Sequence, residues 1–145
     1  MARETRILVV DDDEPIRALL FTILRRRGFR VDTACNGREG IERIERCNYS
    51  LILLDLMMPV MSGYAFLDVL EKRDTALRPL VIVLTAGALP RNLNPNVVAG
   101  TVRKPFDIEF LVDTAAACLA TLDAMAQVDS CPPPESERHA REKPN

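Results

Sequence analysis

Three short runs in this chain are apolar at every position: Ile7-Leu8-Val9-Val10, Leu51-Ile52-Leu53-Leu54 and Leu80-Val81-Ile82-Val83-Leu84. A strand with one face in water alternates apolar and polar residues, whereas a strand that is apolar throughout has to be covered on both faces. A parallel sheet with helices on each side meets that condition. Between the runs the pattern turns helical. Ile16, Leu19, Leu20, Ile23 and Leu24 form an apolar stripe, entered through Asp13, Glu14 and Pro15 and left through Arg25-Arg26-Arg27-Gly28. Acidic groups and Pro suit a first turn; cations and Gly suit a last one. Val31 to Ala34 reads as a second strand, and Asn36-Gly37 begins a helix carrying Ile41 and Ile44. Ser62-Gly63 opens a third helix with Phe66, Leu67 and Leu70 on one face. Thr101-Val102-Arg103 reads as a weak fifth strand, and Asp107 caps a last helix with Ile108, Leu111, Val112, Ala115 and Leu119 inward. Right-handed crossovers make a doubly wound α/β layout the economical topology.

At 145 residues, 48% hydrophobic and 28% charged, the chain is long enough for one domain with a real core. A formal net charge of -2 gives no excess that would favour nucleic acid or an anionic membrane. No apolar run approaches the ~20 residues of a membrane span. The start MARETRILVV lacks the order of a signal peptide. Cys35, Cys47, Cys118 and Cys131 have no metal-type spacing and read as reduced thiols, so a cytoplasmic protein is expected. From Val128 the composition changes to DSCPPPESERHAREKPN, which has little to bury and holds the lone His139. A folded unit over 1–127 and a disordered polar tail over 128–145 follow.

Sites in an open parallel sheet form beyond the carboxyl ends of its strands. After the first strand come Asp11, Asp12 and Asp13; after the third, Asp55; after the fourth, Thr85; after the fifth, Lys104 and Pro105. Two like charges ~4 Å apart repel by roughly 4 kcal/mol at an effective dielectric near 20, so carboxylates gathered on one edge require a cation. Oxygen ligands without Cys or His nearby favour Mg2+ over zinc or copper. Open positions on such an ion suit phosphate oxygens, to which Thr85 and Lys104 add a hydrogen bond and a positive charge. Asp55, facing the metal at the end of an apolar strand, is then a candidate nucleophile that forms an aspartyl phosphate.

The blocks VVDDDEPIR, LLDLMMPVMSG, VLTAGA and VRKPF, in this order, resemble the receiver domain of two-component response regulators. The resemblance runs from about Arg6 to the last helix. It implies a flavodoxin-like five-stranded parallel sheet in the order 2-1-3-4-5 and makes Asp55 the phosphoacceptor. Asp11 and Asp12 match the family's Mg2+-holding acidic pair, with the Met57 main-chain carbonyl and Asp55 as further ligands. Thr85 and Lys104 match the residues that grip the phosphoryl group, and Pro105 matches a cis proline. Asp13 falls outside the acidic pair and stays a helix-start residue. A histidine kinase or histidine phosphotransfer protein is the implied donor and an unknown protein the downstream partner, with no nucleic acid or membrane expected. With no recognisable DNA-binding or catalytic domain after the last helix, a stand-alone receiver is expected, one that assists its own phosphorylation and dephosphorylation and is not a turnover enzyme.

The segment Ala86 to Gly100 departs from the family. Pro90 and Pro95, with Asn92, Asn94 and Asn96, leave no uninterrupted room for the usual fourth helix, so a shortened or irregular one is expected. That is either a tolerated deletion in a surface crossover or a rebuilt partner surface. Thr101 stands where many receivers carry Tyr or Phe. Met57 and Gly87 fall where receivers tune phosphoryl lifetime; neither side chain can orient a water, so slow self-hydrolysis is expected. Competing classes fare less well. An aspartate-based phosphatase needs a second Asp two residues on, where Met57 stands. A flavodoxin-like cofactor binder needs a first turn of Gly, Ser and Thr rather than Asp11-Asp12-Asp13. A degenerate receiver that binds partners without phosphorylation would not need all five chemical residues.

Overall fold

The computed structural model describes residues 5–73, 78–87 and 92–129. Strands β1 (Arg6–Val10), β2 (Arg30–Ala34), β3 (Leu51–Asp55), β4 (Leu80–Thr85) and β5 (Val98–Arg103) form one parallel sheet in the order β2-β1-β3-β4-β5. Helices α1 (Glu14–Arg26), α2 (Gly37–Arg46), α3 (Gly63–Glu71) and α4 (Ile108–Asp129) cover it.

Local chemistry sets the helix ends. Asp13, Asn36 and Ser62 cap α1, α2 and α3, accepting hydrogen bonds from the main-chain N–H of Ile16, Glu39 and Ala65. Asp107 accepts in the same way from Glu109 and Phe110 at the head of α4. Helix α1 stops at Gly28, whose φ of +94 is open to Gly at little cost.

The apolar strands are buried on both faces. Ile7, Val9, Leu51, Leu53, Ile82 and Leu84 pack with α1 and α4, and Leu8, Val10, Ile52, Leu54, Val81 and Val83 pack with α2 and α3. Leu19 was expected in the inward stripe of α1 and is instead 45% exposed. Helix α1 needs only the width of Leu20 and Leu24, with Ile16 and Ile23 beside them, to cover its part of the sheet.

The fifth strand is longer than expected, beginning at Val98. Val81 pairs with Val98 and Ile82 with Gly100, so Ala99 is an extra residue that bulges the edge strand. Among the described residues of the β4–β5 crossover there is no helix; Pro90 lies outside them. A turn in which the Asn94 carbonyl accepts from the N–H groups of Val97 and Val98 brings Val97, and Leu93 beside it, into the core cluster that holds Val81 and Val83. Thr101 and Arg103 remain exposed. The tail expected over 128–145 lies outside the described residues apart from Val128 and Asp129, which end α4. Cys35, Cys47 and Cys118 are free thiols, and Cys131 lies outside the described residues.

Candidate functional site

Because all strands run the same way, their carboxyl ends share one edge, and the chemical residues meet there. Asp11 is fully buried just past β1, Asp55 ends β3 at 3% exposure and Thr85 ends β4 at 4%. Asp12 is exposed beside them. One oxygen each of Asp11, Asp12 and Asp55 lie within 4.8 Å of one another. Lys104 reaches in from the end of β5, its ammonium 3.0 Å from Asp11 Oδ2 and 3.4 Å from Asp55 Oδ2. The Lys104 N–H donates to the Thr85 carbonyl at 2.6 Å, and the Lys104–Pro105 peptide bond is cis.

The acidic turn is held mainly through its backbone. The Asp11 N–H donates to the Ala34 carbonyl at 3.1 Å. Asp11 Oδ1 accepts from the Asp13 N–H at 2.9 Å, and the Asp11 carbonyl accepts from the Arg17 guanidinium at 2.7 Å. Asp13 itself serves α1 as its cap, the helix-start role expected of it. Asp55 Oδ1 accepts from the Met57 N–H at 3.1 Å, while the Met57 side chain is 68% exposed.

Close packing presses α3 against the strand end. A Cβ on Gly63 would lie 2.6 Å from the Asp55 carbonyl oxygen and from Leu56 Cα, so only Gly fits. The intervening loop turns at Val60, whose φ is +70, where the Met61 N–H donates to the Pro59 carbonyl at 2.8 Å. This is a γ-turn of the rare positive-φ form, with a β-branched residue at its centre. Neither Arg17 nor Val60 was singled out by residue type. Their parts depend on a main-chain carbonyl and on a backbone angle, which residue pattern does not report.

Burial pushes the Asp55 carboxyl up from its ordinary 3.8 to about 6, with the charge of Asp11 adding to the rise. The Met57 N–H and the Lys104 ammonium pull the other way. For Lys104, burial would lower the pKa, but the hydrogen bond and charge of Asp11, then those of Asp55, outweigh it and the ammonium is held. Asp11 Oδ2 is buried and accepts no hydrogen bond; the Lys104 ammonium, 3.0 Å away as an ion pair, donates instead to Asp11 Oδ1 at 3.3 Å. A buried carboxylate oxygen that accepts no hydrogen bond, beside two more carboxylates and with no His or Cys ligand in the cluster, fits a small hard cation such as Mg2+.

A cavity of about 450 Å3 lined by Arg6, Arg25, Gly28, Phe29, Arg30, Val31 and Asp32 opens near the start of β1 and β2 and shares no residue with this cluster. No helix among the described residues is long and apolar enough to cross a membrane.

Residues 7–116 match the model of the response regulator receiver domain. Transcriptional regulatory protein ResD of Bacillus subtilis is 43% identical over 107 residues, covering 71% of this chain and 43% of ResD. The chain thus spans about half the length or less of such relatives. A CheY-like receiver domain protein from Methanospirillum hungatei superposes with a TM-score of 0.75 at 26% identity, over 85% of this chain and 99% of that one. Response regulator protein TrrA from Thermotoga maritima, solved in complex with Mg2+ and BeF, gives 0.66 at 34% identity, over 78% and 97% of the two chains.

Proposed function

The chain belongs to the response regulator receiver domain family, and on that basis we propose that it accepts a phosphoryl group on Asp55 from the phosphohistidine of a kinase or phosphotransfer protein. The observation that carries this reading is the convergence of Asp11, Asp12, Asp55 and Lys104, from three separate strand ends, around one buried carboxylate oxygen that accepts no hydrogen bond. TrrA, a relative solved with Mg2+ and BeF, supports the same chemistry.

Asp55 attacks phosphorus with a carboxylate oxygen, the P–N bond to the donor breaks, and its electron pair stays with the imidazole. Burial and the Met57 N–H hold that carboxylate in one orientation at the sheet edge. Lys104, already between Asp11 and Asp55, supplies a positive charge to the transferred oxygens, and the Thr85 hydroxyl a hydrogen bond. Asp11, Asp12, Asp55 and the Met57 carbonyl would hold Mg2+, which when bound neutralises the carboxylates and the incoming phosphoryl oxygens. The protein is modified once per cycle and signals by contact or relay rather than by turning over a substrate. ResD is a transcriptional regulatory protein, so the absence of a nucleic-acid partner expected from the charge balance extends to the matched receiver residues alone.

Incubation with acetyl phosphate and Mg2+, followed by intact-mass measurement, tests the reading. A phosphoryl adduct is expected on the wild type and not with a chelator or in Asp55→Asn. An adduct that survives in Asp55→Asn, or a wild type left unmodified by both acetyl phosphate and phosphoramidate, would overturn it.

A further inference from the structure

Arg17 stands one turn into α1, half-buried, and is paired with no carboxylate among the described residues; its Nη1 donates to the main-chain carbonyl of Asp11 at 2.7 Å. That carbonyl belongs to the peptide joining Asp11 to Asp12. Fixing its plane fixes where the Asp12 Cα stands, and Asp12 is the exposed member of the acidic cluster, its carboxyl meeting that of Asp55. Asp11, by contrast, is held by the Ala34 carbonyl, the Asp13 N–H and Lys104. We propose that Arg17 is a positioning residue for Mg2+, acting through the Asp11 carbonyl to hold Asp12 in ligating geometry.

This rests on the proposed Mg2+-dependent phosphoacceptor reading and adds a residue to it. Two effects of Arg17 oppose each other. As a cation near the cluster it repels Mg2+, so its removal should tighten binding. As the clamp on the Asp11–Asp12 peptide it preorganises a ligand, so its removal should weaken binding. Partners that orient metal ligands are typically worth 10–100-fold in affinity. A solvent-screened charge at the mouth of the site is worth less, and positioning wins.

The test is Mg2+ affinity measured by calorimetry on the full chain, with thermal stability without metal recorded alongside. Arg17→Met should weaken Mg2+ about tenfold, while Arg17→Lys, which can still reach the carbonyl with one N–H, restores most of the loss. In an Asp12→Asn background, Arg17→Met should have little further effect. Should Arg17→Met fail to fold, Arg17→Gln carries the same expectation. Unchanged or tighter Mg2+ binding in folded Arg17→Met or Arg17→Gln would overturn the inference. So would an equal loss with and without the Asp12 carboxylate. A wild type that binds no Mg2+ would overturn the phosphoacceptor reading itself, which separates the two failures.

Discussion

Asp55→Asn should make the metal-free protein more stable, and more so at alkaline than at acid pH. The Asp55 carboxyl is buried, and its pKa stands at about 6 rather than the ordinary 3.8. As pH rises through that interval, the unfolded chain gives up the proton first and the folded chain keeps it. Stability therefore falls between about pH 4 and 6 and stays lowered above, by about 3 kcal/mol for this one group. An asparagine of the same shape carries no charge to desolvate. It also forgoes the Lys104 contact at 3.4 Å, though Lys104 keeps Asp11 as a partner. The net gain at pH 8 should be about 1–2 kcal/mol, or roughly 3–8 °C in Tm for a domain of this size. Circular dichroism melts in chelator, at pH 8 and near pH 4.5, measure it. The difference between variant and wild type should be clear at pH 8 and shrink towards pH 4.5. Equal melting at pH 8, or a gap that does not change with pH, would refute the reasoning. Saturating Mg2+ should raise the wild type more than the variant, because the cation supplies the charge that burial withholds.

Three further substitutions test the surrounding geometry. Val60→Gly should stabilise the protein by about 1 kcal/mol, read as a higher Tm, because the +70 angle is strained for a β-branched residue and costs Gly nothing. Gly63→Ala should cost about 3 kcal/mol and slow phosphorylation by acetyl phosphate, since the added methyl meets the Asp55 carbonyl and Leu56 Cα rather than a side chain that could move. Met57→Glu should shorten the life of the phosphoryl adduct by about tenfold or more, followed by intact mass, because the exposed Met57 thioether cannot take a proton from an attacking water and a carboxylate can. An unchanged lifetime would mean that water is kept from Asp55 by something other than this side chain.

What was legible in the sequence, and what was not, divides along a physical line. The strands β1, β3 and β4 declare themselves because burial on both faces is a property of residue type alone. The caps Asp13, Asn36, Ser62 and Asp107 declare themselves because each is a short side chain meeting the next turn's N–H groups. The gathering of Asp11, Asp55, Thr85 and Lys104 follows once the strands are parallel, since parallel strands must end on one edge. Strand β5 reads weakly because none of its residues is fully buried: partly covered and exposed positions alternate. With the extra residue at Ala99, Val98 packs into the core on one face of the sheet and Val102 into the core on the other. Leu19 misleads because a stripe of apolar residues says which positions can be buried, while the width of the neighbouring surface decides how many are. Arg17 and Val60 lie beyond any such pattern. A guanidinium that recognises a main-chain carbonyl places no demand on the side chain it faces, because every residue has that carbonyl. A strained turn likewise shows only as a torsion angle. The acidic cluster can thus be read from its carboxylates, but the order imposed on them resides in backbone contacts, which is where substitutions far from the reacting oxygen should be felt most.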